Sequence, residues 1–381
     1  MKKIYLMPLE AKSYNYGGVL QEYALQEKCK ELGFDVKIIN DVFLERRSIF
    51  SVKSDIRNFN FSWLLSKIKE KKARKDNRLS EKNKNHLSER RNKFDLFRKE
   101  YMQFSAPCKQ TELEEIVQDG FAVIVGSDQV WNPAMTSYPL FLDFVKSQKK
   151  IAYAASISRD SLTKREQHIL KPLIDDFDYV SLREERGKEL LDSFCSTDCT
   201  VVLDPTMLVE SSIWHRLTQK RVISEKYVFC YFLGDDIKIR EEARSFATYK
   251  GLELVTIPLL KKENLVVDES YDYVSFIEAS PVDFLNLVRY AEYVVTDSFH
   301  AVVFSLIFNR PFFVTGREMA GHAANSRLST LLGYFDLTAR MSFSDKLVDI
   351  IDDPIDYTYI EKKLSLLRQN SEDFLLSALR E

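Results

Sequence analysis

Of the five histidines in this 381-residue chain, His300 has the setting best suited to chemistry. It closes the string Tyr293-Val294-Val295-Thr296-Asp297-Ser298-Phe299-His300-Ala301, which reads as an apolar strand, a polar turn and the start of an apolar helix. The first turn of a helix has N–H groups with no intrahelical partner, which suits an anion, and an imidazole can move protons near neutral pH. Ser298 stands where it can cap that helix. The same string also fits a His300 satisfied within the core. His86, His168 and His215 fall in charged stretches, and His322 follows a loop running from Gly316 to Gly321.

Three further loops gather polar side chains. In Asn15-Tyr16-Gly17-Gly18 a glycine pair precedes a helix, where N–H groups and the helix dipole can hold a phosphate or carboxylate. A tight strand-to-helix turn needs glycine too, and the spacing is not GxGxxG, so a dinucleotide site has no support. Gly126-Ser127-Asp128-Gln129-Val130-Trp131-Asn132-Pro133 puts hydrogen-bonding side chains beside an aromatic platform, as a sugar site would. Asp128 can act there as general base toward a hydroxyl; the alternative is a capped turn with Trp131 in the core. In Ser181-Leu182-Arg183-Glu184-Glu185-Arg186-Gly187, the Arg183 fork suits a carboxylate or phosphate, or serves as a plain surface ion pair. Glu184 and Glu185 read as helix-start charges. Arg317 and Asn325-Ser326-Arg327-Leu328 add further candidates for an anionic ligand, and spacing does not choose between Arg317 and Arg327.

These loops need strands to end on. Residues 4–7 and 34–39 read as strands around a helix at 19–32 that Gly33 caps, which makes a βαβ unit. Strands follow at 121–125, 151–155, 179–182 and 201–203. Asp204-Pro205-Thr206 then breaks the rhythm and marks a boundary. A second series covers 227–232, 252–257, 293–295 and 312–314, with a helix opened by Ser280 at the cap and Pro281 at the first position. The expected fold class is α/β, two Rossmann-like domains (1–204, and 205–381 with a C-terminal helix) facing across a cleft. Ligands of open parallel sheets bind at loops beyond the strand C-termini, where all four strings fall.

Composition narrows the function. Lys+Arg 55 against Asp+Glu 57 gives a net charge of -2, which disfavours a nucleic-acid partner. Five cysteines without a CxxC pair read as free thiols, and Cys195 with Cys199 lacks the further ligands a metal needs. The N-terminus shows neither a signal peptide nor a membrane span, so a cytoplasmic protein is expected. One segment departs from this balance: residues 67–99 hold 14 Lys/Arg and 5 Asp/Glu, a net of +9. It follows an apolar cluster of Phe59, Phe61, Trp63, Leu64, Leu65 and Ile68. The whole reads either as a solvated helical insertion or, over 59–99, as a surface for anionic lipid head groups at the inner face of a membrane.

Together, Asn15-Tyr16-Gly17-Gly18, Gly126-Ser127-Asp128-Gln129-Val130-Trp131-Asn132 and Ser181-Leu182-Arg183-Glu184 resemble the polysaccharide pyruvyl transferase family. Asp204-Pro205-Thr206-Met207-Leu208, Thr296-Asp297-Ser298-Phe299-His300 and Asn325-Ser326-Arg327-Leu328 continue the resemblance in family order. It implies a fold similar to the GT-B glycosyltransferases. It also implies transfer of pyruvate from phosphoenolpyruvate, a co-substrate, to two hydroxyls of a galactose-type hexose in a bacterial surface or capsular glycan precursor. The products are a cyclic ketal and phosphate, with no metal or other cofactor. His300, Asp128 and Arg183 are the expected catalytic residues. Arg183, Ser298, His300, Asn325 and Arg327 are expected on the donor, and Asn15, Tyr16, Gly17, Gly18, Ser127, Asp128, Gln129 and Trp131 on the acceptor, which is expected to be lipid-linked. The sequence departs from the family pattern at Ser298-Phe299, where many members carry a basic residue. Competing expectations are a nucleotide-sugar glycosyltransferase of the same architecture and a non-catalytic glycan-binding relative.

Overall fold

Short, wholly apolar runs make strands that are covered on both faces, and here they form two parallel sheets. The first joins β1 (Lys3–Met7), β2 (Asp35–Asn40), β3 (Phe104–Pro107), β4 (Ala122–Val125), β5 (Lys149–Ala155), β6 (Tyr179–Leu182) and β7 (Cys199–Val201) in the order β3-β2-β1-β4-β5-β6-β7. The second joins β8 (Tyr227–Tyr231), β9 (Glu253–Thr256), β10 (Val274–Ser275), β11 (Tyr293–Thr296), β12 (Phe312–Thr315) and β13 (Met341–Ser342) in the order β10-β9-β8-β11-β12-β13. Every pairing within them is parallel, beginning with Ile4 beside Ala122 and Tyr293 beside Val228. The short edge strands β3, β10 and β13 were not expected, because two to four residues at an edge show no usable periodicity.

This computed structural model describes residues 1–41, 48–50, 81–234, 236–258, 273–315, 322–342 and 347–380, without the side chains of 81, 82, 322–325 and 342. The aromatic cluster at 59–68, the first part of the basic run, Arg317 and the side chains of His322 and Asn325 lie outside the described residues.

In each sheet the chain starts at the centre, builds outward, and then crosses to the other side. The first reversal lies between β1 and β4, the second between β8 and β11. Crevices form at such reversals because the connecting helices leave on opposite faces. Helices α1 (Tyr16–Glu31), α2 (Glu81–Tyr101), α3 (Glu185–Asp192), α4 (Pro205–Leu208), α5 (Pro281–Arg289), α6 (Phe299–Ile307), α7 (His322–Tyr334) and α8 (Tyr357–Leu379) frame the site. Asn15 caps α1 by accepting the Gly18 N–H at 3.0 Å. Gly33, at φ 90, lets the chain turn off the end of α1. Ser280 and Asp283 cap α5 reciprocally.

One apolar cluster runs through both halves. Tyr16 pins them: its ring stacks on Phe284 at 5.1 Å and its hydroxyl donates to Ala279 O at 2.8 Å. The described part of the basic run is a second tie, not a solvated appendage. Along α2, Phe94 and Phe97 enter the core, while Arg90 donates to Ile277 O at 2.6 Å and Pro258 O at 3.0 Å. Arg98 donates to Ser13 O beside the α1 turn, and His86 meets Glu278 at 2.8 Å. Burial takes Arg90 because carbonyls of the opposite half receive it, and Arg98 because Ser13 O of its own half does. Helix α8, expected with the second half, returns to the first: Ser371 Oγ accepts the Leu203 N–H at 3.0 Å and Glu372 pairs with Lys28 at 2.8 Å. Among the described residues, no helix is long and apolar enough to cross a membrane.

Candidate functional site

At the end of β11 each residue of Thr296-Asp297-Ser298-Phe299-His300 has a separate task. Thr296 Oγ1 donates to Tyr231 O at 2.5 Å and accepts the Ser298 N–H at 3.0 Å, fixing the turn. Asp297 accepts the N–H groups of Leu233 at 2.7 Å and Gly234 at 2.8 Å, which binds the ends of β8 and β11 together. That leaves Ser298, Phe299 and His300 at the open end of α6. Ser298 occupies the cap position, but its side chain makes no capping hydrogen bond and lines the cavity.

On the facing side, the loop after β4 is shaped by close approach. Gly126 adopts φ 113 where a Cβ would strike Tyr153 O, and the Gly126–Ser127 peptide is cis. The Ser127 N–H is received by Gln21 of α1 at 2.9 Å, and Ser127 Oγ donates to Ala154 O at 2.8 Å. Asp128 takes φ 66, in the left-handed region, where its carbonyl accepts the Ser156 N–H at 2.9 Å. Single left-handed residues are costly and cluster where a side chain must be aimed. Gln129 holds Asn132 at 2.9 Å. Trp131 is not the expected sugar platform: it is 0% exposed, stacks on Phe141, and donates Nε1–H to Leu140 O at 3.2 Å. An indole with its one donor satisfied in the core has nothing left for a ligand. Tyr16 is likewise consumed by packing.

Between these loops lies a buried charge cluster. Arg183, at the end of β6, donates Nη1–H to Asp204 Oδ2 at 2.8 Å and Nη2–H to Asp128 Oδ1 at 3.3 Å. Its side chain is 2% exposed and Asp204's is 1%. Arg183 is therefore engaged by two carboxylates and is not among the residues that line the cavity. Burial disfavours both charges, yet each is held: Asp204 and Asp128 keep the guanidinium protonated. Burial would likewise raise the Asp204 carboxyl, but His300, Arg183 and Thr206 hold it well below the usual carboxylate range. His300 Nε2 faces Asp204 Oδ2 at 3.6 Å, across the two halves. Phe299 lies between two guanidinium groups, with Arg183 4.8 Å and Arg327 6.0 Å from its ring centre. Glu184 is structural, accepting Ser156 Oγ and the N–H groups of Ile157 and Ser158 with one oxygen.

A cavity of about 90 Å³ opens where these parts meet. The first half contributes Asn15, Gly17, Asp128 and Gln129 to its wall. Tyr231, Phe284, Ser298, Phe299, His300 and Arg327 are among those from the second. Gly17 is glycine for a steric reason: a Cβ there would overlap the His300 imidazole. Of the expected residues, Asn15, Gly17, Asp128, Gln129, Ser298, His300 and Arg327 thus converge. Gly18 and Ser127 lie behind the wall with Tyr16, Trp131 and Arg183. Sequence reasoning treated Asp204 as a boundary and missed its place at the centre of the cluster; the signal was its string recurring in family order. Tyr231 and Phe284 carried no signal beyond strand and helix periodicity.

Cys29, Cys108, Cys199 and Cys230 are buried, and burial pushes the Cys195 and Cys199 thiols up to about 12, as suits inert core sulfur. Among the described residues, no three His, Cys, Asp or Glu side chains are grouped to hold a metal ion.

Two parallel α/β sheets with a site between their strand ends define the GT-B class of architecture. The UDP-N-acetylglucosamine 2-epimerase from Rickettsia bellii shares it, with a TM-score of 0.55 and 11% identity over 100% of this chain and 97% of that one. So does Arabidopsis thaliana UGT89C1, with a TM-score of 0.52 and 7% identity over 99% of both chains. The S. aureus MnaA–UDP co-structure gives 0.50 and 14% over 98% of this chain and 91% of that one. At such identities the likeness is one of fold alone. No curated protein sequence matches the chain. The polysaccharide pyruvyl transferase family model matches residues 15–318, most of the chain, and the chain belongs to that family of transferases.

Proposed function

We propose that the protein moves the pyruvyl group of phosphoenolpyruvate onto two hydroxyls of a galactose-type hexose in a surface-glycan precursor. The observation that carries this reading is the convergence, on one small cavity, of an imidazole, a helix N-terminus and Arg327 from the second half with Asp128 and Gln129 from the first.

In this scheme the second half holds the donor. Its phosphate and carboxylate meet Arg327 and the α6 N–H groups, and the first half presents the sugar. His300 delivers a proton to the methylene carbon, leaving positive charge on the carbon that bears the phosphate. Asp128 takes the proton of the first hydroxyl as its oxygen bonds to that carbon. The carbon–oxygen bond to phosphate then breaks, the second hydroxyl closes the ring, and its proton leaves with the phosphate. Two hydroxyl protons enter: the first passes from Asp128 back to His300, replacing the one now on the new methyl group, and the second is on phosphate. Phosphoenolpyruvate is a co-substrate and the scheme invokes no other cofactor.

Incubation with phosphoenolpyruvate and a panel of free and lipid-linked β-galactosides should release phosphate and add a pyruvyl mass to the sugar. Binding of a nucleotide sugar with no transfer across the panel overturns the reading in favour of a glycosyltransferase. Sugar binding that is indifferent to His300→Ala, with no turnover, points to a non-catalytic relative. A lipid-linked acceptor places the reaction at the inner membrane face. The exposed Lys84, Arg91 and Lys99 of α2 supply a charge for that contact. Co-sedimentation with anionic vesicles should then weaken with salt and with charge reversal of these three; salt-independent binding, or none, removes the membrane from the proposal.

A further inference from the structure

We infer that Asp204 is a positioning residue that orients His300 and sets its tautomer from the opposite half of the molecule, an assignment that rests on the transferase reading above. The two oxygens of Asp204 have divided roles. Oδ1 is spent locally, accepting the Thr206 N–H at 3.0 Å and Thr206 Oγ1 at 2.6 Å, so the carboxylate plane is fixed by its own turn. Oδ2 faces inward, where it accepts Arg183 Nη1 at 2.8 Å and Ser127 Oγ at 3.4 Å and stands 3.6 Å from His300 Nε2. Nε2 is itself buried and makes no hydrogen bond. The carboxylate is thus the group aimed at it, slightly beyond hydrogen-bond length.

With Nε2 directed at Asp204, Nδ1 is left on the cavity side against Gly17, free to carry a proton to a ligand. A carboxylate facing Nε2 holds the proton of the neutral ring on that nitrogen. The other charges around the ring come from every element packed on it. Asp128 after β4 and Asp297 after β11 are negative; Arg183 after β6 and Arg327 on α7 are positive; α1 contributes only the neutral Asn15 and Gly17. Asp297 is already committed to two backbone N–H groups and Asp128 to Arg183. Asp204 is the anion that stands 3.6 Å from the imidazole, within ion-pair reach. Because Asp204 and His300 sit on different halves, the proton-delivering pair exists only while the halves are together.

Asp204→Asn keeps the shape and the Thr206 contacts and removes the charge. With 15N-labelled histidine, and His300→Gln to assign the signal, neutral His300 should carry its proton on Nε2 in the unsubstituted protein, lose that preference in Asp204→Asn and recover it in Asp204→Glu. An unchanged tautomer in folded Asp204→Asn overturns the inference. So does a proton on Nδ1 in the unsubstituted protein, even if Asp204→Asn does not fold. Neither spectrum requires turnover. If no donor is ever transferred, the transferase reading fails while the pairing stands or falls on its own; if transfer occurs and the tautomer does not change, the positioning role alone is lost.

Discussion

Gly17→Ala puts the placement of His300 to a direct test. A Cβ on Gly17 would lie 2.5 Å from Cε1 of the imidazole and nearer still to Nδ1 and Cγ. Ordinary carbon contacts sit at about 3.5–4.0 Å, so the ring must retreat by more than about 1 Å, or the halves must part by as much. A misplacement of about 1 Å in a reacting group costs on the order of 10²-fold in rate, equivalent to about 2.7 kcal/mol of transition-state stabilisation. Stability moves less. Alanine is favoured over glycine within a helix by about 1 kcal/mol, which offsets part of an overpacking cost of about 1–3 kcal/mol. The variant should therefore fold with a melting point within a few degrees of the parent and lose about two orders of magnitude in phosphate release with a working acceptor. Gly18→Ala is the internal control, because a Cβ there meets nothing closer than Ser13 Oγ at 3.6 Å. It should lose at most a few-fold. Equal activity in the two variants, or a loss confined to Gly18→Ala, refutes the argument that His300 works from the surface of Gly17.

Four other outcomes follow from the same geometry. Trp131→Ala should cost about 3–5 kcal/mol by urea unfolding, as removal of a buried aromatic does, and a stable variant deficient only in sugar binding would return Trp131 to the ligand. Arg90→Ala should lower stability by about 2–3 kcal/mol, because two carbonyls of the second half lose a charged donor; an unchanged unfolding curve would mean that α2 does not tie the halves. Arg327→Ala should raise KM for phosphoenolpyruvate about tenfold or more with the fold intact, whereas an effect on kcat alone would remove Arg327 from the donor. Acid stability should also respond to Asp204. Its carboxyl is held low in the native state, so below about pH 4 the unfolded chain takes up a proton that the native protein refuses, and stability falls as pH drops. Unfolding free energies measured between pH 3 and 6, a range spanning about that point, should slope less steeply in Asp204→Asn; matching slopes refute the assignment.

The strand runs were legible because parallel strands buried on both faces are written as unbroken apolar stretches: residues 121–125 gave β4, and 227–232 gave β8, to within one residue. His300 was legible for a related reason, since a polar turn between an apolar strand and an apolar helix marks a strand C-terminus, where such sheets bind ligands. What the sequence withheld was pairing. Arg183 announces a guanidinium but not the carboxylates that occupy it, which stand 55 positions before it and 21 after. Trp131 lies among Asp128, Gln129 and Asn132, and polar neighbours in a string do not say which face of a turn the indole takes; the core took it. The basic run misled in the same way, because Arg90 points at carbonyls of the other half and Arg98 at one of its own, and lone carbonyls leave no mark on a sequence. Asp204 shows the limit most clearly. Its role depends on an imidazole from the other half arriving 3.6 Å away, a distance set by Gly17 lacking a side chain and by Tyr16 stacking on Phe284. Each of those residues is visible in the chain, but only the packing of one half against the other turns them into a single site.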